Sequence, residues 1–173
     1  MGVLISSTDF TGALELPESN LNDLDDYIKQ PDKEEELLIE LLGANLYTDF
    51  KNDLVNGVPQ STKYLAIYNS FQQDYSGQII RSIGMKEMLK RFIYFDYLRF
   101  IKYNATGTGL QANATDSSRD VGSQEGGLYN VLNKAIETYQ AIQFYITVIN
   151  SSDYNDVGKE FNGIKRTYSI PYL

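Results

Sequence analysis

Hydrophobic and polar positions follow a helical spacing over two long stretches of the chain. In FIYFDYLRFIKY, residues 92–103, the charged residues Asp96, Arg99 and Lys102 fall three apart, and the other nine positions are apolar or aromatic. An ordinary surface helix has one apolar stripe and a broad polar face. The pattern therefore predicts a helix over about 84–104 with two apolar sides. Both sides must be buried against other segments of the chain or against another protein.

A second long helix is predicted over about 128–150. Its apolar residues alternate steps of four and three, which is the heptad-like spacing of a helix that packs along a neighbouring helix. Further apolar residues lie outside this seam, so the helix is apolar on a second side as well. The seam consists of Leu128, Leu132, Ala135, Tyr139, Ile142, Ile146 and Ile149.

Shorter elements are predicted in the first half of the chain. Pro31 ends a helix over about 20–30, and Asp32 can cap the next helix, whose apolar residues at steps of four reach about Val55. The stretch 62–72 fits either a short helix or a strand. The turn-forming tract QQDYSGQ follows it, and IIRSI can pair back as a short strand.

Three segments lack helical spacing. Residues 1–17 are predicted to form an extended arm or a short edge strand. Residues 105–126, rich in Gly, Ser, Thr, Asn and Asp, are predicted to form a long polar loop that becomes ordered only against a partner. Residues 156–173 are predicted to form a second arm after a helical domain over 1–155. Because extended backbone needs hydrogen-bond partners, both arms are expected to dock on a neighbour's sheet edge or groove. The fold class is therefore mainly α, a small bundle of four to five helices with a possible short β-hairpin.

The composition narrows the function. The 173 residues carry a net charge of −8 without a cluster of Lys and Arg, which argues against a nucleic-acid binder, although an acidic surface can line a channel for DNA. The chain has no His and no Cys, so Ser-His-Asp, Cys-His and cysteine-based zinc sites are impossible. We predict no catalytic, cofactor-binding or metal-binding residues. The 14 Tyr suit either a protein interface or the edge of a core.

Four segments carry a resemblance to a known family. In order they are LISSTDFTG, LLIELLGANLYTDFKNDL, GMKEMLKRFIYFDYLRF and LYNVLNKAIETYQAIQFYI, and they span about residues 4–150. They resemble head–tail connector, or neck adaptor, proteins of crAss-like and related tailed phages of Bacteroidetes. GANLY and QAIQFYI are the most distinctive stretches.

The resemblance implies a helical subunit without enzymatic activity, located in the virion neck and, during assembly, in the host cytoplasm. Its implied partners are further copies in a twelvefold ring, the portal protein on one face and another neck or tail ring protein on the other. Genomic DNA would pass through the ring without specific binding, and no membrane or cofactor is implied.

The two apolar sides of the helix over 84–104 fit such a ring, because a ring subunit must expose two complementary patches. One side would pack on the seam and the other on a neighbouring subunit. The alternative is that the arms and short helices of the same chain cover the second side. The predicted interface residues are Phe92, Tyr94, Phe95, Asp96, Tyr97, Arg99 and Lys102, together with the arm residues Tyr168, Ile170, Tyr172 and Leu173.

Other functions remain open on the sequence alone. The chain could be a monomeric helical protein-binding module, or another neck or tail protein such as a stopper or tail terminator. An enzyme, for instance a carboxylate-dependent hydrolase, is disfavoured because no catalytic motif is present. The mass in solution and images of rings distinguish the connector from the monomeric classes.

Overall fold

The computed structural model describes residues 4–29, 33–102, 105–106, 109–110 and 121–154. Its fold is mainly helical with short antiparallel hairpins, which confirms the predicted class. The helices are α1 (Glu18–Lys29), α2 (Lys33–Leu42), α3 (Ala44–Asp53), α4 (Thr62–Tyr68), α5 (Met85–Lys102) and α6 (Val121–Phe144). The strands pair as β1 (Leu54–Val55) with β2 (Val58–Pro59), β3 (Phe71–Tyr75) with β4 (Gln78–Ser82), and β5 (Ala105–Thr106) with β6 (Gly109–Leu110).

Helices α5 and α6 pack along each other at the centre of the fold. The rings of Phe92 and Tyr139 meet edge to face with centroids 6.3 Å apart, and Phe95 lies 5.9 Å from Tyr129. As α5 advances the contacting residues of α6 move back along the chain, so the two helices are antiparallel. The predicted seam is confirmed, because its central residues are buried, namely Leu132, Ala135, Tyr139, Ile142 and Ile146.

Helix α6 is longer than predicted. It begins at Val121 instead of near Leu128, so the last six residues of the predicted loop 105–126 are helical, and β5 and β6 occupy four of its first residues. The loop was predicted from the Gly, Ser, Thr, Asn and Asp content of residues 105–126, but a helical glycine costs only about 1 kcal/mol and does not stop a helix that continues on both sides. Residues 111–120 lie outside the described part of the chain.

The helix predicted from Asp32 to about Val55 is two helices. The chain breaks at Gly43, whose φ of +78° lies in the left-handed region that glycine adopts without strain. Leucines continue the apolar spacing on both sides of the break, which is why periodicity alone predicted one helix. Farther along, the stretch 62–72 contains both predicted alternatives, since α4 is followed by β3.

Tyrosine hydroxyls tie these short elements together. The end of α2 leaves carbonyl groups without partners in that helix, and Tyr139 on α6 donates to the Glu40 carbonyl at 2.8 Å. Tyr154 donates to the carbonyl of Lys63, in the first turn of α4. Burial raises the pKa of Tyr154, so its hydroxyl keeps its proton. The tyrosines therefore serve the edge of the core, which is one of the two roles that the composition allowed.

The described part of the N-terminal segment is not an extended docking arm. It forms two short 3₁₀ turns, Ser7–Asp9 and Gly12–Leu14, and its apolar side chains are buried in the chain's own core. This corrects the arm predicted over residues 1–17 as far as the structure describes it. The buried side chains are Leu4, Ile5, Phe10, Leu14 and Leu16.

A buried carboxylate explains why the N-terminal segment packs inward. Glu34, in the first turn of α2, is 3% exposed and accepts hydrogen bonds from the backbone N–H of Leu4 at 2.8 Å and of Ile5 at 3.2 Å. Asp25 of α1 binds the N–H and the hydroxyl of Ser7, each at 2.9 Å. Backbone groups that a sheet edge would otherwise satisfy thus find their partners within the chain.

Replacing the Glu34 carboxylate should loosen this segment. In Glu34→Gln the amide nitrogen cannot accept a hydrogen bond, and hydrogen bonds to a charged group contribute about 1.5–3 kcal/mol. We expect the free energy of unfolding to fall by about that amount in urea titrations followed by circular dichroism. The matched control is Glu36→Gln, an exposed residue in the same turn. Equal midpoints for the two variants would contradict the role of Glu34.

The Tyr139 hydroxyl should also contribute measurably. Tyr139→Phe keeps the ring but removes the donor to the Glu40 carbonyl, and such a loss costs about 1 kcal/mol. Tyr75→Phe is the control, because Tyr75 is exposed at 40%. Thermal or urea unfolding should separate the two variants, and the prediction fails if Tyr139→Phe is as stable as the control.

Candidate functional site

The chain itself covers most of the predicted interface on α5. Phe92, Phe95 and Tyr97 are buried, with 8%, 2% and 1% of their surface exposed. Helix α6 covers one side of α5, and α1, α2 and α4 contact it as well. An interface role requires exposed side chains, so the structure corrects that role for these three residues. Their burial agrees with the alternative prediction, in which other segments of the same chain cover the second apolar side of α5.

The polar stripe of α5 lies at the edge of this core. Asp96 is partly exposed, and Arg99 is exposed with its guanidinium carbon 5.5 Å from the centre of the Phe95 ring, a cation–π distance. Burial, and then the nearby Asp96 carboxylate, raise the pKa of Tyr27 on α1 to about 12. Tyr94 is half-buried against the core, and burial raises its pKa.

The structure describes no side chain for the remaining predicted interface residues. The side chain of Lys102 is not described, although its backbone belongs to α5. The four anchors of the C-terminal arm also lie beyond the described residues, so their docking role stays a prediction. These anchors are Tyr168, Ile170, Tyr172 and Leu173.

Near the C-terminal end of α5 the structure exposes one large apolar side chain that the prediction did not name. Phe100 is 54% exposed, and its ring lies 5.2 Å from the ring of Tyr27. It follows Asp96 by four residues, so it shares the face of the polar stripe. This spacing in the sequence could have identified Phe100 as an exposed residue. It was overlooked because nine of the twelve residues in 92–103 are apolar or aromatic.

A second exposed surface, here called the hairpin surface, consists of β3, β4 and the end of α6. The turn residues Ser76 and Gly77 both have positive φ, as in the two-residue turns that favour tight hairpins. One face of the hairpin packs on α6, where Tyr75 meets Phe144 edge to face at 5.2 Å. On the other face Ile79 is 53% exposed.

The hairpin packs where α6 changes its winding. Residues Tyr145–Ile149 form a π-helical turn, and the ring of Tyr145 lies 4.8 Å from Phe71 at the start of β3. Val148 in the same turn is exposed. Single π turns are rare within helices and occur frequently at functional sites. The hairpin surface thus combines exposed apolar side chains with an irregular helix end.

The described residues offer little else that points to chemistry. Among them no group of three or more acidic side chains is placed to hold a metal ion, and no helix is long and apolar enough to cross a membrane. No protein-family model, curated protein or solved structure matches the chain. The exposed apolar surfaces at Phe100 and at the hairpin are therefore taken as candidate functional sites, and Val55 and Val58 of the β1–β2 hairpin form a further exposed apolar pair.

Core and surface positions of α5 should differ sharply in their effect on stability. Phe95→Ala leaves a cavity beside α6 and should cost about 3–5 kcal/mol. Phe100→Ala removes an exposed ring and should cost less than about 1 kcal/mol. Urea titrations of both variants measure the difference. Similar costs for the two would mean that the assignment of Phe95 to the core and Phe100 to the surface is wrong.

Proposed function

We propose that this protein is a structural virion protein, a head–tail connector subunit that forms a ring at the portal vertex between capsid and tail. The supporting observation is the position of two of its exposed apolar surfaces, the one at Phe100 and the hairpin surface. Because α5 and α6 are antiparallel, Phe100 at the end of α5 and the hairpin surface at the end of α6 lie at opposite ends of the pair. Two different patches at opposite ends suit a head-to-tail contact, which forms a ring when the rotation between successive copies closes and an open filament when it does not.

The sequence resemblance supplies the place of this ring. Its expected neighbours are the portal protein on one face and another neck or tail ring protein on the other, with twelve subunits. The net charge of −8 fits a ring whose lumen passes genomic DNA without holding it, since a channel that binds phosphate would need clustered Lys and Arg.

Microscopy of virus particles tests the proposal. In particles of the phage that encodes this chain, a tagged copy should appear as a ring at one vertex, even if the purified protein is monomeric. Phe100→Ser and Ile79→Ser should reduce its incorporation because each removes an apolar contact. Ile39→Ser, which changes an exposed residue of α2, is the control and should incorporate normally.

Two results would overturn the connector function. One is a label spread over the capsid lattice, and the other is the absence of the chain from purified particles. Circular dichroism of the three variants shows whether each is folded, so that failed incorporation is not confused with unfolding.

A further inference from the structure

The outer edge of β3 carries backbone groups that β4 does not bind. Tyr75 and Gln78 flank a two-residue turn whose central residues both have positive φ, and they form the hydrogen-bonded pair that closes it. Hydrogen-bonded and non-hydrogen-bonded pairs alternate along an antiparallel ladder, so the N–H and C=O groups of Gln72 and Asp74 point away from β4. Within the described residues β3 pairs with β4 alone.

This edge is also accessible. Strand β4 packs on α6, which leaves β3 on the outer side of the hairpin, and residues 72–79 are all exposed. The side-chain amide of Gln73 donates to the Asp74 carbonyl at a long 3.5 Å, as expected for a carbonyl that points out of the ladder. A strand edge with such groups is a template for pairing with a further strand.

The sequence of β3, FQQDY, is complementary to itself in the antiparallel direction. With Gln73 opposite Gln73 of a second strand, Gln72 lies opposite Asp74, and Phe71 lies opposite Tyr75. The two residues whose backbone groups point outward then face each other. Each strand therefore exchanges both outward N–H groups and both outward C=O groups with its partner.

The other two-fold registers of β3 satisfy these groups less well. Pairing about Asp74 sets two carboxylates directly opposite each other, which destabilises a sheet. Pairing about Gln72 places Asp74 opposite Ser70, which lies outside the strand. Pairing about a point between two residues sets outward groups against groups that already bind β4. The register about Gln73 is therefore the one that fits this edge.

We propose that β3 of one copy pairs with β3 of a second copy about Gln73, which joins the two hairpins into a four-stranded antiparallel sheet. The occupant of the edge is a second copy by necessity, because a strand cannot lie beside itself within one chain. Both copies use the same surface, as in a two-fold dimer. This contact differs from the head-to-tail contact of a ring, so the inference goes beyond the proposed function and concerns the free protein.

Side chains on both faces of the joined sheet fit this pairing. On the face that packs on α6, Phe71 of each copy lies opposite Tyr75 of the other, and aromatic cross-strand pairs stabilise a sheet. On the free face, one carboxylate oxygen of Asp74 accepts from the N–H of Gly77 at 3.0 Å. The other oxygen can accept from the side-chain amide of Gln72 in the second copy.

Charge substitutions at Gln72 test the pairing. Because residue 72 of each copy lies opposite Asp74 of the other, Gln72→Asp introduces two like-charge pairs across the contact and Gln72→Lys two opposite-charge pairs. In sedimentation experiments on the full chain, the mass should rise with concentration from 19.6 kDa towards twice that value. Relative to the unchanged protein, the dimer Kd should rise several-fold in Gln72→Asp and fall several-fold in Gln72→Lys.

The opposite strand of the hairpin separates this effect from folding. Within one chain residue 72 lies opposite Arg81 of β4, so Gln72→Asp gains an opposite-charge pair there and Gln72→Lys a like-charge pair. The stability of the monomer in urea should therefore change in the direction opposite to the affinity of the dimer. A variant that merely unfolds cannot produce this combination.

Disulfide trapping tests the register, because the chain contains no cysteine. Gln73 lies opposite itself in a non-hydrogen-bonded pair, whose close Cα atoms suit a disulfide in Gln73→Cys. Gln72→Cys is the matched control, an equally exposed neighbour in the same strand. Its two copies are diagonal to each other, about 7–8 Å apart, which is too far for a disulfide. Under mild oxidation covalent dimers should form several-fold faster in Gln73→Cys.

Three outcomes overturn the strand pairing. One is a chain that keeps the monomer mass up to its highest soluble concentration, as it would if another segment of the chain covered β3. Another is a dimer whose Kd does not move in opposite directions in the two charge variants. The third is covalent dimers that form no faster in Gln73→Cys than in Gln72→Cys. Absence of the chain from virus particles would reject the connector function and leave this contact in place.

Discussion

The two apolar sides of α5 are the constraint on which the rest of this fold depends. Helix α6 covers one side, and among the described residues no other long helix covers the second side. Shorter segments cover it instead: α1, α2, α4 and the N-terminal segment. Lys86 and Lys90 of α5 reach back to Asp9 and hold that segment against the helix. The N-terminal half of the protein is thus organised as a cover for one helix.

Polar groups decide where these short pieces lie. Apolar contact is non-directional, so a short helix could slide over α5 at little cost. The Glu34 carboxylate and the Tyr139 hydroxyl bind particular backbone groups, and each bond is formed in one position only. An acidic, tyrosine-rich composition therefore has a structural use here, whatever the protein binds.

Helical spacing predicted α5, α6 and the seam because a period of 3.6 reports which side of a helix is apolar. It does not report which segment covers that side. Phe92, Phe95 and Tyr97 were therefore predicted to contact a neighbouring subunit, whereas other segments of the same chain bury them. The break at Gly43 was missed because leucines keep the spacing across it. The packing of the N-terminal segment depends on Glu34, and a long-range pairing of a carboxylate with backbone amides has no signature in a local pattern.

The tyrosine hydrogen bonds also have a consequence for biosynthesis. Tyr139 and Tyr154 bind carbonyl groups 99 and 91 residues earlier in the chain, and Lys90 binds one 81 residues earlier. When the ribosome has synthesised only the first half of the protein, the short helices and the N-terminal segment are therefore present without the long helix that they cover. Contacts between distant residues slow folding. A nascent chain that ends before α6 leaves one apolar side of α5 exposed. Such a fragment is a substrate for chaperones and proteases instead of an assembling subunit.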